Sequence, residues 1–90
     1  SSLITALEKF KEAGFWIFGA DSGGRNLYTD SIYDSPVLLI IGSEGKGLRP
    51  STKKHCDFIV NIPIHGKVNS LNASVSAGIV LFEIIRQRNL

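Results

Sequence analysis

Apolar and polar residues come in blocks along the chain, and the spacing of the apolar ones predicts the secondary structure. The first block has apolar residues at the spacing of one helical face: Leu3, Leu7, Phe10 and Ala13. Ser1 or Ser2 can cap the start of this helix, and Gly14 stands where a left-handed residue commonly ends one. We therefore predict a short first helix.

Three further blocks are apolar at nearly every position and predict strands, at residues 15–20, 36–41 and 57–62. Such runs need cover on both faces, which is typical of a parallel sheet between helices. Residues 21–35 indicate a long polar connection, and Pro50 with Ser51 predicts a short helix before the third strand. The predicted fold class is α/β, a parallel sheet with flanking helices. Because parallel sheets usually have more than three strands, we expect this chain to be the latter part of a longer domain.

The last block, from Asn72 to Arg88, follows a loop at 63–72 and carries apolar residues on nearly every side. It predicts a helix that is buried along much of its length. Arg86 and Arg88 fall in its last turn, where the helix dipole favours positive charge. These two arginines can face solvent, bind RNA phosphates or meet a partner chain.

Composition narrows the class of protein. The ninety residues are 43% apolar, which is enough for the core of one small domain, and their net charge is +2. No apolar run approaches the roughly 18 residues of a membrane span, and the start lacks the order of a signal peptide. One cysteine, Cys56, with two histidines gives neither an internal disulfide nor a usual zinc site. We expect a soluble, cytoplasmic protein that binds neither membrane nor metal. The most basic stretch, 46–55, fits a solvated loop and helix start, or alternatively a phosphate-binding edge.

Gly42, Gly45 and Gly47 follow the second predicted strand directly. Ligands bind at the carboxyl ends of parallel strands, so this turn is a candidate small-molecule site, with a plain tight turn as the alternative. A P-loop would need Gly-Lys and then Ser or Thr, but Gly47 is followed by Leu48. The dinucleotide fingerprint has the reverse glycine spacing, and the Gly-x-x-Gly clamp of KH domains joins two helices. These three motifs are therefore set aside.

Two longer segments carry a family resemblance: LLIIGSEGKGLRP (38–50) and CDFIVNIPIHGKVNSLNASVSAGIVLFEIIRQR (56–88). With their spacing, they closely resemble the SpoU-type RNA 2′-O-ribose methyltransferases of the SPOUT superfamily. They contain the second and third of the family's three signatures. The segment FWIFGADSGGRNLY (15–28) also looks like the bacterial enzymes that methylate a guanosine of large-subunit (23S) ribosomal RNA.

The resemblance implies an S-adenosyl-L-methionine site made from three loops of a deep trefoil knot in the C-terminal half of an α/β-knot fold. It implies methyl transfer to a ribose 2′-hydroxyl of RNA, ribosomal RNA in preference to transfer RNA. The cofactor-binding positions of the family match Gly42, Ile62 and Leu71, and Ala20 is expected to border the same pocket. Backbone groups would hold most of the cofactor, with Gly42 allowing a close approach to it.

The family's active-site positions match Glu44 and Asn72, and Ser70 lies beside them. Transfer from a sulfonium to a hydroxyl is an in-line displacement, so alignment supplies much of the rate and a base helps to remove the proton. Family members dimerise through helices that include the last one, so a homodimer is expected.

The family's first signature, an Asn-x-Gly-x-x-x-Arg run whose arginine is regarded as central to catalysis, does not occur in this chain. We expect residues 1–90 to be a C-terminal portion of one SpoU methyltransferase domain, which keeps cofactor loops and is inactive in isolation. The alternative belongs to a different class, a non-catalytic module of the same fold that binds RNA or a protein partner.

Several of these residues also have plain structural interpretations. Asn72 is a good helix N-cap, a role compatible with catalysis. Glu44 can be solvated or can pair with Lys46 or Arg49. His55 and His65 are expected in surface positions, and Cys56 is expected to pack as a small apolar group.

Overall fold

The computed structural model describes residues 2–21, 23–24, 26–43, 46–63 and 72–89. Its helices are Ser2–Glu12 (α1), Pro50–His55 (α2) and Ala73–Arg88 (α3), and its strands are Trp16–Ala20 (β1), Asn26–Leu27 (β2), Val37–Ile41 (β3) and Phe58–Asn61 (β4). None of the helices in these ranges has the length and apolar character needed to cross a membrane.

The described strands form one sheet in the order β2-β4-β1-β3, and every pairing is parallel. The predicted α/β class, its three apolar strands and its three helices are confirmed. Gly14 ends α1 with a φ of +93°, as its position predicted.

One strand was missed, because β2 lies inside the stretch predicted as a polar connection. It is two residues long and has no apolar run of its own. Bonds to β4 hold the chain here: the Tyr28 N–H donates to the Asn61 carbonyl at 3.0 Å, and the Asn61 side-chain amide donates to the Gly24 carbonyl at 2.6 Å. Its pairing therefore depends on the partner strand and not on a pattern visible within 21–35.

The two faces of the sheet have different covers. On one face Phe18 packs with Tyr33, Val60 and residues of α3 in the main buried cluster. On the other face Gly19 lies under the side chains of Leu48 and Cys56, at the start and the end of the α2 region. The Cys56 thiol donates weakly to the Thr52 carbonyl at 3.4 Å, and burial raises its pKa. It packs as the small group expected before the last strand.

Polar side chains at the end of α3 hold the segment 31–35 against the sheet. The Gln87 amide donates to the Ser31 carbonyl at 2.7 Å and accepts from the Tyr33 N–H at 3.1 Å. Arg88 donates to the carbonyls of Tyr33 and Ser35 at 3.1 and 2.6 Å. The Arg88 side chain therefore binds backbone groups of this same chain.

Arg86 is also engaged, because its guanidinium donates two hydrogen bonds of 2.8 Å to the Glu83 carboxylate. The Glu83 side chain is only 6% exposed. Hydrogen bonds from Arg86 and then Gln87 lower the pKa of Glu83 to about 2, so this buried carboxylate stays charged.

The prediction that α3 is buried along much of its length is wrong for this chain. Val80 and Ile84 are buried, but Leu81, Phe82 and Ile85 are 49%, 69% and 56% exposed. The side of the helix that carries Val80 and Ile84 packs toward the sheet, and the side that carries Leu81, Phe82 and Ile85 stays open. The spacing of apolar residues shows which side chains favour burial, but it does not show which part of the protein covers them.

Replacing Gln87 with alanine tests the clamp on residues 31–35. We expect the free energy of unfolding to fall by about 1–3 kcal/mol, because the Tyr33 N–H and Ser31 carbonyl lose their partner while part-buried. Urea unfolding followed by circular dichroism measures the change. The control is Lys54→Ala on the exposed side of α2, which should stay within about 0.5 kcal/mol of the parent. Equal effects of the two substitutions would contradict the clamp.

Candidate functional site

Three of the predicted cofactor-site residues lie at the carboxyl edge of the sheet. Ala20 is the last residue of β1 and pairs with Ile41 of β3 and Val60 of β4. Gly42 follows Ile41 directly, and Ile62 lies two residues beyond Val60. The parallel register therefore places residues from three distant parts of the chain at one edge.

The start of α3 points toward the same edge, because α3 runs antiparallel to β3. At one end, Arg88 bonds to the Ser35 carbonyl, just before β3 begins. Nearer the other end, Ala77 faces Ile41 across a groove of about 500 Å³ between helix and strand. The start of α3 therefore points toward the carboxyl edge.

Asn72 is the N-cap of α3, as the sequence predicted. Its side-chain oxygen accepts from the backbone N–H of Ser74 at 2.7 Å and of Val75 at 3.3 Å. These bonds satisfy two of the donors that a helix leaves unpaired at its start. Glu44, Ser70 and Leu71 lie outside the described residues, so their predicted roles stay predictions, as do the roles of Ala20, Gly42, Ile62 and Asn72 in binding or catalysis.

The glycine turn, residues 42–48, closes on itself. Ser43 and Gly47 form an antiparallel bridge in which the Gly47 N–H donates to the Ser43 carbonyl at 2.9 Å. A Cβ on Gly42 would lie 2.6 Å from the Leu48 nitrogen, closer than such atoms approach. Gly47 has a φ of +69°, which favours glycine. The turn's own closure thus accounts for glycine at both ends, whereas the sequence suggested that Gly42 makes room for a ligand.

Asp21 joins this turn to the end of β1, and sequence reasoning missed it. Its carboxylate accepts from the backbone N–H of Gly23 and of Leu48, both at 2.9 Å, and lies 3.6 Å from the Lys53 ammonium. Burial raises the pKa of Asp21, but the bonds from Leu48 and Gly23 and the charge of Lys53 outweigh it, so the pKa lies below its ordinary value. An acidic residue directly after a buried strand was the available signal.

In the described part of the chain, this edge includes the ends of β1, β3 and β4 and both ends of the glycine turn, and the start of the sixteen-residue helix α3 points toward it. Within the described ranges no group of three histidine, cysteine, aspartate or glutamate side chains could hold a metal. Main-chain donors and acceptors at such an edge suit a small polar ligand.

Comparison with known proteins identifies the protein family. The sequence model of the SpoU rRNA Methylase family matches residues 1–82, and the chain belongs to this family. Its family resemblance is thereby confirmed.

Individual relatives agree with the family assignment. An uncharacterized tRNA/rRNA methyltransferase of Synechocystis is 51% identical over 87 residues, covering 97% of this chain and 23% of that protein. The 23S rRNA (guanosine-2′-O-)-methyltransferase RlmB of Pseudomonas aeruginosa is 44% identical over 89 residues, covering 98% of this chain and 36% of that protein. The chain therefore spans about a quarter to a third of the length of these relatives.

Among solved structures, the SpoU methyltransferase AviRb from Streptomyces viridochromogenes in complex with AdoMet superposes with a TM-score of 0.82 at 35% identity. The match covers 97% of this chain and 35% of that one. The described sheet and helices thus have the arrangement of a SpoU methyltransferase.

Substituting Gly42 with alanine tests the closed turn. The added Cβ meets backbone atoms of Gly47 and Leu48, which cannot move aside as a flexible side chain could, so we expect a loss of about 1–3 kcal/mol in unfolding free energy. Gly78→Ala is the matched control, because nothing lies within 4 Å of its Cβ position in α3. That change should stabilise the chain by about 0.5–1 kcal/mol. Thermal unfolding of both variants measures these changes in stability. If Gly42→Ala is as stable as the parent, the close contact of Gly42 with Gly47 and Leu48 is contradicted.

Proposed function

We propose that this chain forms the cofactor-binding part of an RNA 2′-O-ribose methyltransferase that uses S-adenosyl-L-methionine. The observation that carries the proposal is that Ala20, Gly42 and Ile62 lie at one edge of a SpoU-type sheet, toward which the start of α3 points. The structural relative AviRb is described in complex with AdoMet, which supports the choice of cofactor. Here the cofactor would supply the methyl group, and the chain's main-chain groups would hold and orient it.

The chain is proposed to be a C-terminal portion of one SpoU methyltransferase domain. Two observations support this: the sequence has no Asn-x-Gly-x-x-x-Arg run, and it spans between 23% and 36% of its relatives. The arginine of that run would come from the remainder of the domain. The same proposal includes a deep trefoil knot in the C-terminal half of the domain.

The proposed substrate is RNA, and ribosomal RNA is preferred to transfer RNA. The relative RlmB is named as a 23S rRNA enzyme, and the Synechocystis relative is named for both RNA classes. A homodimer is proposed as well, supported by the exposed apolar residues Leu81, Phe82 and Ile85 of α3. Burying them against a second copy would give the helix the cover that the described residues do not provide.

Calorimetric titration of the chain with S-adenosyl-L-methionine and with its demethylated product tests the cofactor site. We expect saturable binding of both ligands, because the main-chain groups at the edge are set by the folded chain. Gly78→Ala, expected to fold at least as well as the parent, is the control and should bind equally. Heat on titration with an RNA fragment but none with either cofactor form would contradict the proposal and favour the non-catalytic binding module.

Two substitutions at Asn72 separate capping from catalysis in the enzyme that contains the whole domain. Asn72→Asp keeps an oxygen for the N–H groups of Ser74 and Val75 but removes the amide, whereas Asn72→Ala removes both. We expect the aspartate variant to melt like the parent yet transfer methyl groups at least about tenfold more slowly, because alignment of the reacting groups is disturbed. Unchanged turnover in a stable Asn72→Asp protein would leave Asn72 as a cap only.

A further inference from the structure

Asp21 bonds to three parts of the chain: the end of β4, the end of the glycine turn and α2. Its own N–H donates to the Val60 carbonyl at 3.0 Å, which fixes it at the end of β4. Its carboxylate accepts from Leu48, at the end of the glycine turn, and pairs with Lys53 of α2. The side chain is only 8% exposed although it is an acid, so water cannot easily replace these partners.

The glycine turn needs such an anchor. Glycine has more conformational freedom than any other residue, so fixing the chain at Gly42 and Gly47 is costly in conformational entropy. Two contacts fix its end: the buried Leu48 side chain over Gly19, and the Leu48 N–H bonded to Asp21. The carboxylate also occupies the space beside Gly47, where a Cβ would lie 2.5 Å from an Asp21 oxygen. Asp21 therefore contacts the glycine turn at two successive residues, Gly47 and Leu48.

We propose that Asp21 is a positioning residue of the cofactor site, which holds the glycine turn against the end of β1 so that its main-chain groups face the cofactor in one arrangement. This inference rests on the proposed function and goes beyond it, because Asp21 acts through the turn and not by touching the reacting atoms. Hydrogen bonds from a backbone N–H to a carboxylate are among the stronger ones in proteins, which suits a group with this task.

Asp57 offers a matched control on the opposite edge. Its carboxylate accepts from the Ile17 N–H at 2.7 Å and lies 3.7 Å from the Lys11 ammonium, the same kind of contacts at the amino end of β4. Asp57→Ala should lower the melting temperature without moving the glycine turn. Asp21→Ala should loosen the turn, and Asp21→Asn should give an intermediate result because it keeps one acceptor oxygen.

Two measurements, made well below the melting temperature of every variant, test the inference. Amide hydrogen exchange by NMR should become at least about tenfold faster at Leu48 in Asp21→Ala and stay unchanged there in Asp57→Ala. Affinity for S-adenosyl-L-methionine should fall about tenfold in Asp21→Ala, less in Asp21→Asn, and less than about twofold in Asp57→Ala.

The two possible failures can be told apart. If the parent chain binds the cofactor but Asp21→Ala binds it equally well, or Leu48 exchanges at the parental rate, Asp21 does not position the turn. If Asp21→Ala and Asp57→Ala lose affinity together, the effect is one of global stability and the inference is also overturned. If the parent chain binds no cofactor, the proposed function fails, and this inference fails with it even if the Leu48 exchange changes as expected.

Discussion

The parallel pairing of β1 with both of its neighbours decides where the rest of the site can lie. Ala20 pairs with Ile41 on one side and with Val60 on the other, so three strands end level with one another. A parallel pair cannot be joined by a tight turn, and each connection must carry the chain back to the amino edge. Every segment that leaves a strand therefore emerges on the same side. Residues about twenty positions apart in sequence become neighbours for this geometrical reason alone.

Within that edge, the glycine turn has a shape of its own. The bridge between Ser43 and Gly47, the close packing of Gly42 on Gly47 and Leu48, and the bond from Leu48 to Asp21 all belong to the folded chain. A ligand that meets such a turn does not have to order it. Binding then costs less conformational entropy, which is the physical advantage of a preorganised site. The closure of the turn itself requires glycine at 42 and 47. Access to main-chain groups is a consequence of the missing side chains.

The sequence predicted those helices and strands whose signals lie within a short stretch of the chain. Strands β1, β3 and β4 come from the three largely apolar blocks of the sequence, and Asn72, Gly14 and Pro50 mark helix ends by their own chemistry. The sequence could not predict β2, whose pairing depends on Asn61 far along the chain. Asp21 was missed for the same reason, since its partner Leu48 is distant in sequence and becomes a neighbour only when β1 and β3 pair. The exposure of α3 was misjudged because apolar periodicity does not say which sides find a partner.

The hydrogen bonds of Gln87 and Arg88 explain how a helix with apolar residues on nearly every side takes one orientation. Apolar contacts are non-directional, so Val80 and Ile84 could be exchanged for Leu81 and Ile85 by rotating the helix at modest cost. Gln87 and Arg88 oppose this rotation, because their hydrogen bonds need backbone groups of Ser31, Tyr33 and Ser35 at fixed angles. A rotated helix would leave the part-buried Ser31 carbonyl and Tyr33 N–H without their Gln87 partner, at a cost of about 1–3 kcal/mol for each unsatisfied group. The polar clamp at one end of α3 thereby determines both where its exposed apolar side points and how Asn72 is presented at the other end.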